Sequence, residues 1–271
     1  MRLLALAFFL VAGCASQGAE PKAPDSPCRT EMFEGAAFTV CDPGRGKVEI
    51  VAAARSETPV RRFADLEQRL GKRARDVAFA MNAGMFGEDG RPIGLAIVDG
   101  RDVRAVNRRK GGGNFHLLPN GVFQIRDGGR AEVVPTTAWK PASDIAFATQ
   151  SGPMLVIAGK LHPDFDADGS SRYIRNGVGI ARDGRARFVI SDEAVSFGKF
   201  ARLFRDRLGC RDALFFDGSV SALWDPANSR RDLTVPLGPM VVVFKPAAAL
   251  KPAAALKPAG LGPGRAAPAK S

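Results

Sequence analysis

The chain has 271 residues, 45% of them hydrophobic, with 30 glycines and 19 prolines, so it can bury the core of one large domain or two small ones. Its formal net charge is +11, but the arginines and lysines are scattered and form no basic stripe interleaved with aromatic side chains. This pattern argues against a nucleic-acid surface and favours anionic envelope polymers or phospholipid headgroups as partners.

The first residues, MRLLALAFFLVAGCASQ, predict an export signal. Arg2 supplies the charged start, and the apolar stretch 3–11 is too short to span a bilayer. VAGC resembles the bacterial lipoprotein box, so residues 1–14 are predicted to be a signal peptide ending at a lipidated Cys14. The alternative is a plain secretory signal with an incidental cysteine. We therefore expect an exported protein that is lipid-anchored in the bacterial envelope. Ala15 follows Cys14, at the position where an aspartate would retain a lipoprotein in the inner membrane, so we expect the protein to be in the outer membrane and to face the periplasm.

Residues 15–27 lack large apolar side chains and predict a flexible tether. Beyond it lie Cys28, Cys41 and Cys210, and an exported compartment permits one disulfide among them. A Cys28–Cys41 bridge closes the shorter loop, but Cys41–Cys210 is also possible if their elements are neighbours. No Cys-x-x-Cys occurs in the chain, so a thiolate zinc site is not expected.

Residues 28–244 are predicted to form a single domain of the α+β class, a β-rich mixed sheet with a few helices. Strand-like apolar runs bounded by turn residues recur along it: AFTVC, KVEIVAA, IGLAIVDG, NGVFQI, PMLVIAG, ARFVIS, ALFFDG and PMVVVF. Two segments have helical spacing, VRRFADLEQRLGK and SFGKFARLFRDRLG, the second with Ser196 as N-cap and Gly209 as C-cap. The absence of strict strand–helix alternation argues against a doubly wound fold.

Two bends could bring backbone and amide groups to a ligand. In FAMNAGMF, Asn82 and Gly84 either form a turn that tolerates a left-handed backbone or let the chain approach a ligand closely. In KGGGNFHLLPNGVF, Asn114 follows three glycines and Asn120 lies in a turn, but the Gly-Lys-Ser/Thr ending of a nucleotide-binding P-loop is missing. His116 lies in an apolar context and is expected to be structural.

The segment ATQSGPMLV places Gln150 and Ser151 at the predicted start of a strand, without the Gly-x-Ser-x-Gly elbow of a serine hydrolase. The acidic run 164–169 resembles the first half of a calcium loop, but its twelfth position is Arg175 instead of glutamate, so a solvated turn is expected. Arg175 and Asn176 precede the run GVGI. An arginine in this place is either solvated or a bidentate partner for phosphate.

Carboxylates follow two predicted strands. FVISDEAVSF places Ser191, Asp192 and Glu193 at a strand end, where the carboxylates either favour the start of the next helix or face a cleft together with Asp217. In ALFFDGSVSALW, the pair Asp217–Gly218 between two apolar runs is first of all a hairpin signal. The alternative is a carboxylate presented at an active site.

The C-terminal segment 245–271 contains the repeat KPAAALKPAAALKPAG. Proline in every repeat opposes a continuous helix, so an extended, cationic, disordered tail is predicted. It serves either as a spacer or for a weak electrostatic contact with the cell wall or outer membrane.

An ordered set of these motifs resembles one known family. FAMNAGMF, PIGLAIVDG, GNFHLLPNGVF, TQSGPMLV, RNGVGI, FVIS and LGCRDALFFDGSVSALW are similar, in this order, to the bacterial branch of the phosphodiester glycosidase family, over roughly residues 33–244. The lysosomal uncovering enzyme, which removes N-acetylglucosamine from a phosphodiester, is a distant member. That enzyme has an Asn-Gly-Gly turn where this chain has NAG, and Asp-Gly-Gly-Gly-Ser where this chain has DGSVS.

The resemblance implies an exported hydrolase that cleaves the glycosidic bond of a sugar-1-phosphodiester in an envelope glycan or related glycoconjugate. Catalysis would rest on Asp217, Arg175 and Asn82, with neither cofactor nor metal, and Asp217 would stabilise an oxocarbenium-like centre or activate water. The expected substrate-binding residues lie at strand ends and turns: Gly84, Asn114, Asn120, Gln150, Ser151, Asn176, Ser191, Gly218 and Ser219.

The expected partners are the sugar phosphodiester or glycan substrate and, through the lipid anchor, the membrane, but no nucleic acid. One alternative is a non-catalytic envelope lipoprotein that binds a glycan or phosphodiester without cleaving it. A metal-dependent phosphodiesterase would need a denser His/Asp cluster than the sequence offers.

Overall fold

The computed structural model describes residues 26–232 and 235–246. The predicted signal peptide with Cys14, the tether up to residue 25 and the tail from residue 247 lie outside the described residues. Among the helices that are described, none is long and apolar enough to cross a membrane.

Seventeen strands and two α-helices follow one another in the described residues. The strands are β1 (Cys28–Phe33), β2 (Ala36–Cys41), β3 (Lys47–Val51), β4 (Val77–Asn82), β5 (Ala96–Val98), β6 (Arg101–Arg104), β7 (Gly121–Arg126), β8 (Ala131–Pro135), β9 (Ile145–Ser151), β10 (Met154–Ile157), β11 (Lys160–Leu161), β12 (Asn176–Ala181), β13 (Ala186–Ser191), β14 (Cys210–Phe215), β15 (Leu223–Asp225), β16 (Arg230–Arg231) and β17 (Met240–Phe244). The helices are α1 (Phe63–Leu70) and α2 (Phe197–Arg202).

The strands form three sheets, with the orders β1-β2-β13-β12-β14-β10-β11, β16-β15-β4-β17-β3 and β6-β5-β9-β7-β8. The predicted β-rich α+β class is confirmed. The expected single mixed sheet is not seen, however. The described strands form three sheets, and every strand pair within them is antiparallel. The last strand, β17, lies between β4 and β3, in the interior of its sheet.

Both predicted helices are present. α1 buries Phe63 and Leu66. The side chain of Ser196 accepts a hydrogen bond from the Lys199 N–H and caps α2 as predicted. The helix then widens into one π turn, and the chain reverses at Gly209, whose φ of 63° favours glycine.

The three sheets meet at Phe188, which is fully buried. Its ring lies edge-on to Phe79 at 5.5 Å and to Phe123 at 5.6 Å, and each of the three rings comes from a different sheet. Edge-to-face contacts of this kind add to the gain from apolar burial. This shared core packs β4, β7 and β13, one strand from each sheet, against one another.

Contacts of the domain begin slightly before the predicted start. Ser26 Oγ donates to Asp225 Oδ2 at 2.8 Å and accepts from the Cys28 N–H at 3.0 Å. Cys28 and Cys41, which face each other in the β1–β2 pair, form a disulfide, and Cys210 is free and buried. The bridge ties the end strand β1 to its only partner in the sheet.

Candidate active site

The candidate site lies where the chain passes from the seven-stranded sheet to the sheet that contains β4. Immediately after β14, the Phe216 N–H donates to Asn176 O and the Asp217 N–H donates to Ala83 O, each at 3.0 Å. Asn176 begins β12 in the first sheet, and Ala83 follows β4 in the second. The Asp217 segment is therefore held by both sheets at once.

Two buried asparagines tie these strand ends together. Asn82 Nδ2 donates to Asp217 O at 2.8 Å, and Asn176 Nδ2 donates to Asn82 Oδ1 at 2.9 Å. Asn82 Oδ1 also accepts from the Ala222 N–H at 2.9 Å. Asn82 and Asn176 are at most 1% exposed. The amide groups of Asn82, predicted as catalytic, and of Asn176, predicted as substrate-binding, thus form hydrogen bonds inside the protein and position the Asp217 segment.

Asp217 does not lie in a hairpin, because β14 and β15 belong to different sheets. Its carboxylate caps the 3-10 turn Gly218–Val220 and accepts from the Ser219 N–H at 3.2 Å. A Cβ at Gly218 would lie 2.3 Å from an atom of the Phe215 ring, so only glycine permits this turn. Burial raises the pKa of Asp217 above its ordinary 3.8, and the hydrogen bonds from Ser219 oppose that effect.

Arg175 is the largest fully buried side chain, at 2% exposure. Its Nε donates to Val195 O and its Nη2 to Ser171 O, both at 2.9 Å. Its backbone N–H donates to Ser191 Oγ at 2.9 Å, and the guanidinium carbon lies 3.5 Å from the centre of the Phe197 ring. The guanidinium is thus held in one orientation by backbone carbonyls and an aromatic face.

Within the described residues, the Arg175 guanidinium forms no ion pair with a carboxylate, and its Nη1 has no hydrogen-bond acceptor. Burial lowers the pKa of Arg175 to about 10, so the side chain is still charged at neutral pH. A buried cation without a counter-ion is costly, and an anion bound beside it would offset that cost. The guanidinium fork is suited to the oxygens of a phosphate group.

Arg175 opens onto a cleft of about 940 Å³. The residues that line it come from four segments of the chain: Asn114, Ser171, Tyr173, Ile174, Arg175, Phe215, Gly218, Ser219, Val220, Ser221 and Val235. Four of the predicted site residues are therefore brought together here, namely Arg175, Asn114, Gly218 and Ser219. The Asp217 carboxylate adjoins this cleft through its hydrogen bond to Ser219.

A second cleft, of about 870 Å³, lies between the loops 44–48 and 125–129. It contains none of the predicted site residues. Its Arg126 is already paired with Glu132 and Asp144, at 2.8 and 2.6 Å. The cleft beside Arg175 is the better candidate because its cation is buried and lacks such partners.

Two predicted substrate-binding residues, Gly84 and Gln150, contact other segments of the protein. A Cβ at Gly84 would lie 2.3 Å from Thr149 Oγ1, so this glycine permits the close approach of its segment to β9. Gln150 Oε1 accepts from the N–H groups of Leu95 and Asn107, both at 2.9 Å. Gln150 therefore anchors the loop between β4 and β5 and the residues after β6.

Three further predicted residues lie beneath the cleft. Asn120 Nδ2 donates to Phe115 O at 2.8 Å and supports the short turn that carries Asn114. Ser191 binds the backbone of Arg175. Ser151 ends β9 instead of starting a strand, and its fully buried Oγ has no hydrogen-bond partner in the described part of the chain.

The second carboxylate considered for the site is elsewhere. Asp192 accepts from Thr39 and Arg230, and Glu193 accepts from the Ala37 N–H, so both lie at the β2 side of β13. In the described residues, no group of three or more His, Cys, Asp or Glu side chains is arranged to hold a metal ion.

Sequence reasoning missed several residues of the cleft. Ser171 and Tyr173 come shortly before Arg175, and Ser221 is the second serine of DGSVS. Ser221 Oγ lies within hydrogen-bond distance of Ile174 O at 3.0 Å and Asn176 Oδ1 at 3.1 Å. For Ser171 and Tyr173, the one feature of the sequence that could have indicated a place in the site was their position shortly before Arg175.

Comparison of sequences adds independent information. The family model described as "Phosphodiester glycosidase" matches residues 75–244. The uncharacterized protein YigE of Escherichia coli (strain K12) is 38% identical over 148 residues, which are 55% of this chain and 58% of YigE. The match thus spans less than two thirds of that relative.

Comparison of structures supports the fold. The catalytic domain of zebrafish N-acetylglucosamine-1-phosphodiester alpha-N-acetylglucosaminidase, auto-inhibited by its pro-peptide, superposes with a TM-score of 0.53 and 15% identity, over 81% of each chain. A hypothetical protein from Synechocystis gives a TM-score of 0.51 and 15% identity, over 81% of this chain and 61% of that one. At this identity the similarity concerns the fold.

Proposed function

The chain belongs to the phosphodiester glycosidase family, and from that membership we propose that it hydrolyses the bond between a sugar C1 and the oxygen of a phosphodiester. The observation that carries the proposal is the buried Arg175, which has no carboxylate partner among the residues that the structure describes and lies on the wall of a cleft beside the Asp217 turn. A phosphodiester supplies the anion that this cation lacks.

Arg175 would hold the phosphodiester group. Its guanidinium is already fixed by Val195 O and Ser171 O, so binding costs little further side-chain entropy. The apolar rings around it exclude water and strengthen the interaction between the guanidinium and an anion. Asn114 and Ser219, both exposed on the cleft, can donate to the sugar or the phosphate.

Asp217 would act on the sugar carbon. As the C1–O bond breaks, its electron pair passes to the phosphate oxygen and positive charge develops on the sugar ring. A carboxylate beside the ring stabilises that charge or removes a proton from the water that attacks C1. The products are a free sugar and a phosphate monoester. Because phosphate is a good leaving group, one carboxylate suffices where an ordinary glycoside needs two.

The test is release of sugar from a sugar-1-phosphodiester by the purified protein. We expect Asp217→Asn to lower kcat by about 10²–10⁴-fold and Arg175→Met to lower kcat/KM by about 10²–10³-fold. Asp212→Asn on the same strand and the exposed Arg172→Ala are the matched controls and should retain activity. Activity close to wild type in both site variants would refute the assignment.

Analysis of the products separates the neighbouring possibilities. A free sugar supports a glycosidase, whereas a sugar phosphate would indicate a phosphodiesterase that breaks the bond on the phosphorus side. Binding of the phosphodiester without release of either product would support the non-catalytic envelope lipoprotein instead.

We further propose that the protein acts at the bacterial envelope as an exported lipoprotein, anchored through Cys14 in the outer membrane and facing the periplasm. The support is the sequence MRLLALAFFLVAGC at the N-terminus. Metabolic labelling with a fatty acid, followed by membrane fractionation, tests this proposal in wild type and Cys14→Ser. Equal labelling of the two proteins would contradict it.

A further inference from the structure

Exposed apolar side chains gather at the cleft beside Arg175. Among the described residues, the large hydrophobic side chains that are exposed are Met32, Leu118, Tyr173, Ile174 and Val235. Three of these five line this cleft: Tyr173 at 61% exposure, Ile174 at 37% and Val235 at 56%. We call these three residues the apolar rim. Exposed apolar groups that cluster in this way mark a binding surface, whereas single ones need no explanation.

The apolar rim borders a site for an anion. Ile174 directly precedes Arg175 in the chain, and Tyr173 lies 5.7 Å from the Arg175 guanidinium carbon, measured to the ring centre. A single cleft thus offers one buried positive charge and, next to it, side chains that gain by losing contact with water. The chemistry complementary to such a surface is an amphiphile with a phosphate at the polar end of an apolar chain.

We propose that the alcohol esterified to the phosphate in the substrate is a long apolar one, an isoprenoid or alkyl chain, and not a second sugar or a glycerol. This inference rests on the proposed function, because it concerns the other half of the same phosphodiester. The sugar half would lie toward Asn114, Ser219 and Asp217, which can form hydrogen bonds. The apolar chain of the alcohol would extend from the phosphate along the apolar rim.

The composition of the rim favours a chain over a sugar. A tyrosine alone could stack on a sugar ring, but Ile174 and Val235 have neither a flat face nor a polar side-chain atom. Burial of aliphatic carbon against them is favourable in proportion to the apolar area removed from water. Burial of one methylene contributes about 0.8 kcal/mol, which corresponds to an increase in affinity of about fourfold.

The first experiment compares two substrates that share one sugar and differ in the ester group, decyl against glyceryl, below the micellar concentration of the decyl compound. We expect kcat/KM to be at least about tenfold higher for the decyl ester. Ile174→Ser and Val235→Ser should each lower that preference, measured as the ratio of kcat/KM for the decyl ester to kcat/KM for the glyceryl ester in the same variant. Met32→Ser, at an exposed apolar residue outside the cleft, is the control. Equal kcat/KM for both esters would overturn the inference and leave the proposed function intact.

A second measurement does not require turnover. Calorimetric titration with decyl phosphate and with glycerol phosphate should show tighter binding of decyl phosphate by at least about tenfold, with the preference reduced in the rim variants. If that preference is found but no sugar is ever released, the catalytic proposal fails, and the apolar chain then belongs to the ligand of a non-catalytic binding protein. If the wild type shows no preference and instead binds phosphatidylcholine vesicles through the same residues, the rim is a membrane-contact surface and the inference is wrong.

Discussion

Arg175 combines features that rarely occur together in an arginine. It is 2% exposed, it retains its charge at neutral pH, and no carboxylate neutralises it within the described residues. The backbone carbonyls and the Phe197 ring that contact it compensate only part of the lost hydration. The protein therefore carries at this residue a local instability that an anion would relieve.

Anions should stabilise the protein through Arg175. At a phosphate concentration about 100 times its Kd, binding to the folded state alone adds about 2.7 kcal/mol to the free energy of unfolding. We expect thermal unfolding to shift upward with added phosphate in wild type, and to shift far less in Arg175→Met, which keeps the side-chain volume. Arg172→Met, at the exposed neighbour, is the control. An equal shift in all three proteins would mean that phosphate binds elsewhere.

Substitution of Asp217 should have opposite effects on stability and on activity. Because burial raises its pKa in the folded state, ionisation of the carboxylate is easier in the unfolded chain. Stability is therefore lost as pH rises from the ordinary value near 3.8 through the raised folded value, and Asp217→Asn avoids that loss. We expect the variant to be at least as stable as wild type at pH 7, yet inactive.

The pH profile of activity gives a second check on Asp217. If its ionised form is required, the acidic limb of kcat/KM should have its midpoint above 3.8. A midpoint at or below that value would show that another group controls the limb.

Sequence alone named Asp217, Arg175 and Asn82 as candidate catalytic residues but could not predict which partners their side chains have in the fold. An asparagine beside a glycine bend serves equally well as a ligand donor or as an internal tie. Only the positions of Asn176 and Asp217 O, 94 and 135 residues away, distinguish the two roles. Long-range partners of this kind leave no local signal.

At the scale of elements, the site depends on how the ends of β4 and β12 are joined. Asn82 and Asn176 exchange hydrogen bonds across the gap between two sheets, with no water needed to bridge them. The Asp217 segment then bonds to both. The Asp217 carboxylate is thus placed by strand ends and not by a free loop, which favours a precise geometry.

Removal of this tie should cost both stability and activity. In Asn82→Ala, the buried Asn176 amide and the Ala222 N–H lose their acceptor, and each unpaired group costs about 1–3 kcal/mol. We expect the free energy of unfolding to fall by about 2–5 kcal/mol in urea titration. Asn114→Ala, at an exposed asparagine whose side chain has no hydrogen-bond partner among the described residues, should cost less than about 1 kcal/mol. Comparable losses in the two variants would contradict the internal role of Asn82.

Local sequence patterns predicted the strands and helices better than the pairing of the strands into sheets. The apolar runs at β2, β3, β7, β13 and β17 and the capped helix α2 follow from residue periodicity and turn residues. The segment around Ser151 was misplaced because β9 ends in the polar residues Thr149, Gln150 and Ser151, and β10 begins three residues later. In the sequence, this polar end of one strand is easily taken for the start of the next. Division into three sheets was not predictable, since pairing depends on partners distant in the chain.

At the scale of the whole molecule, the three sheets share one aromatic contact. Phe188 touches rings from both other sheets, so deletion of its side chain removes packing on three sides at once. We expect Phe188→Ala to lower the free energy of unfolding by about 3–5 kcal/mol. The half-buried Phe33, in the end strand β1, provides the control and should cost clearly less as Phe33→Ala. Similar losses for the two would show that the sheets do not depend on this junction.

The position of β17 between β4 and β3 also affects how the protein is made. Synthesis runs from the N-terminus, so this strand leaves the ribosome after every other described strand, yet it completes the sheet interior. Until it arrives, β4 lacks one neighbour and the Ala83 N–H lacks its acceptor, Pro239 O. The sheet that contains β4 therefore stays incomplete until β17 has been synthesised and has inserted between β4 and β3. A premature stop codon shortly before residue 240 would leave the residues of the cleft in the chain but remove the strand that pairs with both β3 and β4. A newly made chain would need protection from proteases until this strand inserts.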